Sequence, residues 1–162
     1  MGMVQVVQRK IRSLFRYTPF TRLWFIPVLI MLGVGKVAIS IVPFRHLVMC
    51  LGEAVGTKSQ VPLINSVQQT RATQISRVVS LAARYTPWDS NCFPQAVAAC
   101  ILLKLYRVPY ALYFGLLRLP ESGEFKAHAW VTTGRIQVTG GRSFGYYTVV
   151  GCFIAPNLLV NS

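Results

Sequence analysis

Apolar and polar positions change their spacing several times along this chain, and each change marks an element. From Leu23 to Gly35 no residue is charged; Lys36 interrupts, and Val37 to Phe44 is apolar again. These runs predict a pair of apolar helices, with Pro27 inside the first. Gly52 to Pro62, GEAVGTKSQVP, is polar and glycine-containing and reads as a linker. Beyond it a helix is predicted from about Val67 to Arg84. Its apolar positions Ile75, Val78, Val79 and Ala82 recur at helical spacing, whereas Arg71, Arg77 and Arg84 fall elsewhere. Thr86-Pro87 ends it, because the residue before a proline is pushed out of helical conformation.

The next helix follows Asp89-Ser90-Asn91, any of which can cap it. Pro94 is tolerated in its first turn, where a missing N–H is no loss. Its body, QAVAACILLKLY, is apolar on nearly every side except Gln95 and Lys104, so the helix is central and buried. After Val108-Pro109 the period shortens. Tyr110 to Leu119 reads as a strand, PESG turns the chain, FKAHAWV is a second strand and YYTVVGCFI supplies another. Between them Thr133-Gly134 reads as a two-residue hairpin turn. That register sets Val131 against Ile136, Trp130 against Gln137, Ala129 against Val138 and His128 against Thr139. His128, Trp130, Gln137 and Thr139 then share one face, and the apolar face of Ala127, Ala129, Val131, Ile136 and Val138 is core. The fold class is α+β.

Length and composition narrow the function. A chain of 162 residues suits one domain with an appendage, read as a basic, apolar helical extension over 1–56 and a domain over 57–162. Hydrophobic residues make up 53%, the mean hydropathy is +0.47, and 17 Lys and Arg face only four acids. The net charge of +13 is compatible with nucleic acid, anionic lipid or an acidic polypeptide. Nucleic acid is disfavoured, because the basic residues are spread through apolar segments without interleaved aromatic stacking residues. The N-terminal 52 residues hold seven basic residues and no acid. Three readings remain for them: helices packed on the rest of the protein or on a partner, a membrane-surface contact through residues 9–45, or a span. A signal peptide is disfavoured by the long basic lead and the lysine close behind the apolar run. Gly33-Val34-Gly35-Lys36 lacks the remainder of a phosphate-binding loop.

Cys50, Cys92, Cys100 and Cys152 form no C-x-x-C pair, which points to reduced thiols in a cytoplasm rather than a disulfide scaffold. With His46 and His128 the only histidines and no clustered ligands, neither a metal nor a cofactor is expected. Two residues invite chemistry. Cys92 stands at a helix start, where free N–H groups and the helix dipole favour a thiolate; taken alone it is either a structural thiol or a nucleophile. His128 is either a solvated strand residue or part of a site. Cys100, in the helix body, reads as core packing. A cysteine-bearing helix followed by a histidine-bearing antiparallel sheet is similar to the papain and transglutaminase arrangement. There the strand histidine moves the thiol proton and a third polar group fixes its tautomer.

PWDSNCFPQAVAACILLKLYRVPYALYFGLL followed by HAWVTTGRIQVTGG resembles the transglutaminase-like leader peptidases of lasso-peptide biosynthesis. The likeness runs from about Pro87 to the end of the chain. It rests on a tryptophan before the cysteine, Gln-Ala after it, and His-Ala-Trp on the strand. The resemblance implies a stand-alone cysteine protease that removes the leader from a ribosomally made precursor peptide. It also implies a separate leader-binding recognition protein and a macrolactam cyclase as partners. Carried onto this sequence, Cys92 is the nucleophile and His128 the base. The family's third residue, an acid, falls on Thr139, with Gln137 the second choice for that orienting role. An acyl transferase of the same fold and a non-catalytic membrane-surface or scaffold protein are the competing readings.

Overall fold

A computed structural model describes residues 17–43, 46–47, 51–57, 61–87, 92–120 and 122–155. Its elements are α1 (Pro19–Ile41), β1 (Glu53–Gly56), α2 (Ser66–Ala83), α3 (Cys92–Leu105), β2 (Ala111–Arg118), β3 (Phe125–Thr133), β4 (Ile136–Thr139), a 3-10 turn (Gly141–Tyr146) and β5 (Thr148–Ile154). The strands form one sheet in the order β1-β5-β2-β3-β4, and every neighbouring pair is antiparallel. Helices and antiparallel strands are segregated as the α+β reading expects.

The core lies between the three helices and one face of the sheet. Helix α3 contributes Phe93, Ala96, Ala99, Cys100, Leu102 and Leu103 to it. Ile75, Val78, Val79 and Ala82 of α2 are each fully buried, as their helical spacing predicts. Capping fixes where α2 begins: the Asn65 side chain accepts from Gln68 N at 2.9 Å, and Asn65 N donates to Gln68 Oε1 at 3.1 Å. Gln68 Nε2 also donates to Arg107 O at 3.0 Å, tying the start of α2 to the end of α3. There Val108 N donates back to Leu103 O at 2.9 Å, which places Arg107 in the left-handed region, φ 53°.

Helix α1 runs through Pro27 and Lys36 without a break. Its Phe20, Phe25, Val28 and Leu32 enter the same core as α2 and α3. Trp24 Nε1 donates to Tyr106 Oη at 2.8 Å, and the Arg71 guanidinium lies 4.8 Å from the Phe20 ring and 4.4 Å from that of Tyr106. These contacts join α1 to both other helices by packing, a hydrogen bond and cation–π attraction.

Two expectations are corrected. The stretch read as a linker contains β1, which borders β5 at the sheet edge through Glu53 opposite Ile154 and Ala54 opposite Phe153. The hairpin turn is Gly134-Arg135, one residue later than expected. Thr133 stays in β3 because its hydroxyl donates to Pro109 O, and Gly134, at φ +53°, donates its N–H to Pro62 O at 3.1 Å.

Arg107 gives a direct check of this helix end. Arg107→Gly relieves an L-residue in the left-handed region and should stabilise the protein by roughly 0.5–1 kcal/mol. Urea unfolding followed by circular dichroism measures the shift in midpoint.

Candidate active site

Cys92 is the first residue of α3, half-buried and in reduced form. Its side chain packs at the margin of the helix-side core. The proposed caps Asp89, Ser90 and Asn91 lie outside the described residues. Cys100, two turns further on, is fully buried; burial pushes its thiol well above the usual range, so it stays protonated and inert. Of the cysteines on α3, only Cys92 has access to solvent.

His128 stands on β3 directly opposite Gly115 of β2. Its ring stacks with Trp130 at 5.9 Å between centroids and packs on Tyr147 at 4.9 Å. Gly115 makes this stack possible. A Cβ there would lie 2.7 Å from Tyr147 Cβ and 2.8 Å from the Trp130 ring. His128 Nε2 lies 2.7 Å from Gly140 O. A carbonyl oxygen only accepts, so Nε2 carries the proton and donates it. In the neutral ring the lone pair is therefore on Nδ1, the nitrogen left to receive a proton.

The ring lies on the sheet face of Trp130 and Tyr113, whereas Ala129 and Val131 face the helices. Phe93, next to Cys92, packs on Phe114 at 5.8 Å, and Phe114 is the cross-strand partner of Ala129. The start of α3 thus packs on the helix side of the β2–β3 pair, whereas the His128 ring lies on its other face. Among the described residues no hydrogen bond joins Cys92 to His128.

The register expected from the sequence does not hold beyond the turn. Thr132 pairs with Gln137 but Val131 pairs with Thr139, so Val138 is an extra residue in a β-bulge. Its carbonyl accepts from Ser76 Oγ at 2.8 Å, which fastens the bulge to α2. The bulge turns Thr139 to the face of its partner Val131, away from His128. The Thr139 hydroxyl is buried without a hydrogen-bond partner, so it does not hold the imidazole here. Gln137 is on the His128 face, but its amide donates to Gly141 O. The atom that holds the ring is the carbonyl of Gly140, the residue just after the end of β4.

Gly140 is fixed by its conformation. It has φ +97°, and a Cβ would come 2.3 Å from Trp130 Cβ. On the same face a groove of about 490 Å³ is bordered by Tyr113, Trp130, Thr132, Arg135, Gln137 and Tyr147. It shares Trp130 and Tyr147 with the His128 stack. It offers aromatic walls, one guanidinium and an amide, a surface suited to an extended peptide.

Residues 38–152 match the family model described as the transglutaminase-like superfamily. The match spans more than two thirds of the chain and contains both Cys92 and His128. Comparison with curated proteins and with solved structures gave no match.

Two substitutions separate the hydroxyl from the carbonyl. Thr139→Val removes a buried, unpaired hydroxyl and should leave activity unchanged while raising stability by up to about 1 kcal/mol. Gly140→Ala forces an L-residue to a positive φ against Trp130. It should cost about 2 kcal/mol or more in unfolding experiments and reduce turnover at least about tenfold.

Proposed function

The chain belongs to the transglutaminase-like superfamily, and we propose that it is a cysteine peptidase that removes the leader from a ribosomally made lasso-peptide precursor. The observation that carries the catalytic part is the anchored imidazole. His128 donates its Nε2–H in a hydrogen bond to a fixed carbonyl and keeps Nδ1 available as the base. The substrate class is supported by the sequence likeness around Cys92 and His128.

In this reading His128 Nδ1 takes the Cys92 thiol proton, and the thiolate sulfur attacks the scissile carbonyl. The bond to the leaving amine breaks as His128 returns that proton to its nitrogen. The result is an acyl-thioester on Cys92 and a free amine. Water then loses a proton to Nδ1 and attacks the thioester, releasing the acid product and restoring the thiol. The Gly140 carbonyl keeps the ring in orientation through both steps and faces the Nε2–H of the imidazolium. It supplies a dipole where an acid would supply a full charge. The Cys92 backbone N–H, at the start of α3, is suited to the oxyanion.

The groove beside Trp130 and Tyr147 accommodates the precursor segment next to the scissile bond. A leader-binding recognition protein delivers the precursor, and the macrolactam cyclase takes the released core, all in the cytoplasm. The chain's positive charge suits an acidic leader or the recognition protein.

The test is incubation of the enzyme with precursor and recognition protein, followed by mass spectrometry of the peptides. Leader release by hydrolysis is expected. Cys92→Ala and His128→Ala should each abolish it without unfolding the protein, because the pair acts as one unit. Cys100→Ala should keep the activity and lose about 1 kcal/mol of stability or more. Full activity in a folded Cys92→Ala or His128→Ala protein overturns the mechanism. Transfer of the acyl group to an added amine instead of water makes the chain an acyl transferase.

A further inference from the structure

Helix α1 has two apolar faces, and the fold covers only one of them. Phe20, Phe25, Val28 and Leu32 enter the core, and Gly35 lies against Pro94 of α3, its ideal Cβ position 3.4 Å from Pro94 Cα. On the outer side Leu23, Ile26, Ile30, Val34, Val37 and Ile41 follow one another at helical spacing along the whole helix. They remain 58–75% exposed. A continuous aliphatic stripe of that length is not the scattered surface hydrophobicity of an ordinary soluble domain.

The charge distribution identifies what covers it. Helix α1 carries no acid; its charged residues are Arg22 and Lys36, both exposed and both on one flank of the stripe by helical spacing. Arg9, Lys10, Arg12 and Arg16 precede the helix in the sequence, and the chain holds four acids against 17 basic residues. A second copy of a chain with net charge +13 would bring like charge to like charge along this face. An anionic lipid surface complements it in both respects, receiving the aliphatic side chains below its headgroups and the cations among them.

Length and hydropathy alone would let α1 cross a bilayer, at 23 residues and a mean hydropathy of 2.0. Its packing opposes that. A spanning α1 would withdraw Phe20, Phe25, Val28 and Leu32 from the core, break the Trp24–Tyr106 hydrogen bond, and leave the buried faces of α2 and α3 open.

We propose that α1 is an in-plane membrane anchor: its outer stripe lies in the interface of an anionic bilayer while its inner face stays in the core. Because Gly35 abuts Pro94, two residues after Cys92, the anchor holds the start of α3 at a fixed distance from the lipid surface. The inference is independent of the peptidase reading, and its test does not involve cleavage.

The full chain is tested for co-sedimentation with vesicles of phosphatidylcholine alone and with roughly 30% phosphatidylglycerol. Binding to the anionic vesicles should exceed binding to the neutral ones at least about tenfold and fall as salt rises. Ile30→Glu with Val34→Glu should remove it, with the thermal unfolding midpoint unchanged because both side chains are exposed. Leu23→Gln with Val37→Gln is the milder pair should the first disturb folding. Equal binding to both vesicle types, no binding, or undiminished binding of a folded stripe variant overturns the proposal. So does resistance to alkaline extraction, which marks a span. A stripe variant that changes only self-association or capture of a partner protein overturns it as well.

Discussion

Helix α3 has almost no polar surface, and the need to cover most of it organises this molecule; Ile101, Lys104 and Leu105 lie on the side left exposed. The sheet covers one side through Leu112, Ala129 and Val131, while α2 and α1 cover two more with Val78, Val79, Val28 and Leu32. An uncovered aliphatic helix would forfeit roughly 25 cal/mol for each Å² of apolar surface left in water. That constraint explains why α1 is part of the core and not a detached appendage. It also explains why the outer face of α1 is left over, since a helix of this width presents one face to its neighbours and keeps another free.

The same covering fixes the position of Cys92. With most of the body of α3 packed against its neighbours, the thiol at its first residue is half-buried while Cys100 inside is sealed off. His128 is aimed by three separate features: the missing side chain of Gly115 opposite it, the stack on Trp130 and Tyr147, and the carbonyl of Gly140. The last of these depends on the bulge at Val138. Without the extra residue Thr139 would remain on the His128 face, as a regular hairpin requires, and Gly140 would alternate to the other.

Much of this was legible in the sequence, for identifiable reasons. The extents of α2 and α3 follow from apolar spacing and from prolines at their boundaries, and both lie within about a residue of expectation. Cys92 at the start of a buried helix, and His128 sharing a face with Trp130, are also readable from local pattern. The strand β1 was not. Its four residues, Glu-Ala-Val-Gly, are too few to show an alternating pattern and are mostly exposed, and its conformation comes from pairing with β5, about a hundred residues away. The turn register failed because Thr-Thr-Gly-Arg allows two frames by local rules. Contacts from Pro109 and Pro62 decide between them. The orienting group was missed for a related reason: a backbone carbonyl has no side-chain signature, and a strand-terminal Gly-Gly looks like punctuation.

The central claim is that a main-chain carbonyl performs the orienting role at His128. Long-range proton–nitrogen NMR correlation on nitrogen-15 labelled protein reads the ring tautomer directly. It is measured at about pH 8.5, where an unperturbed imidazole is neutral. The account predicts Nε2 protonated and Nδ1 with the shift of an unprotonated nitrogen. A ring protonated at Nδ1, or an even mixture of the two tautomers, would contradict it.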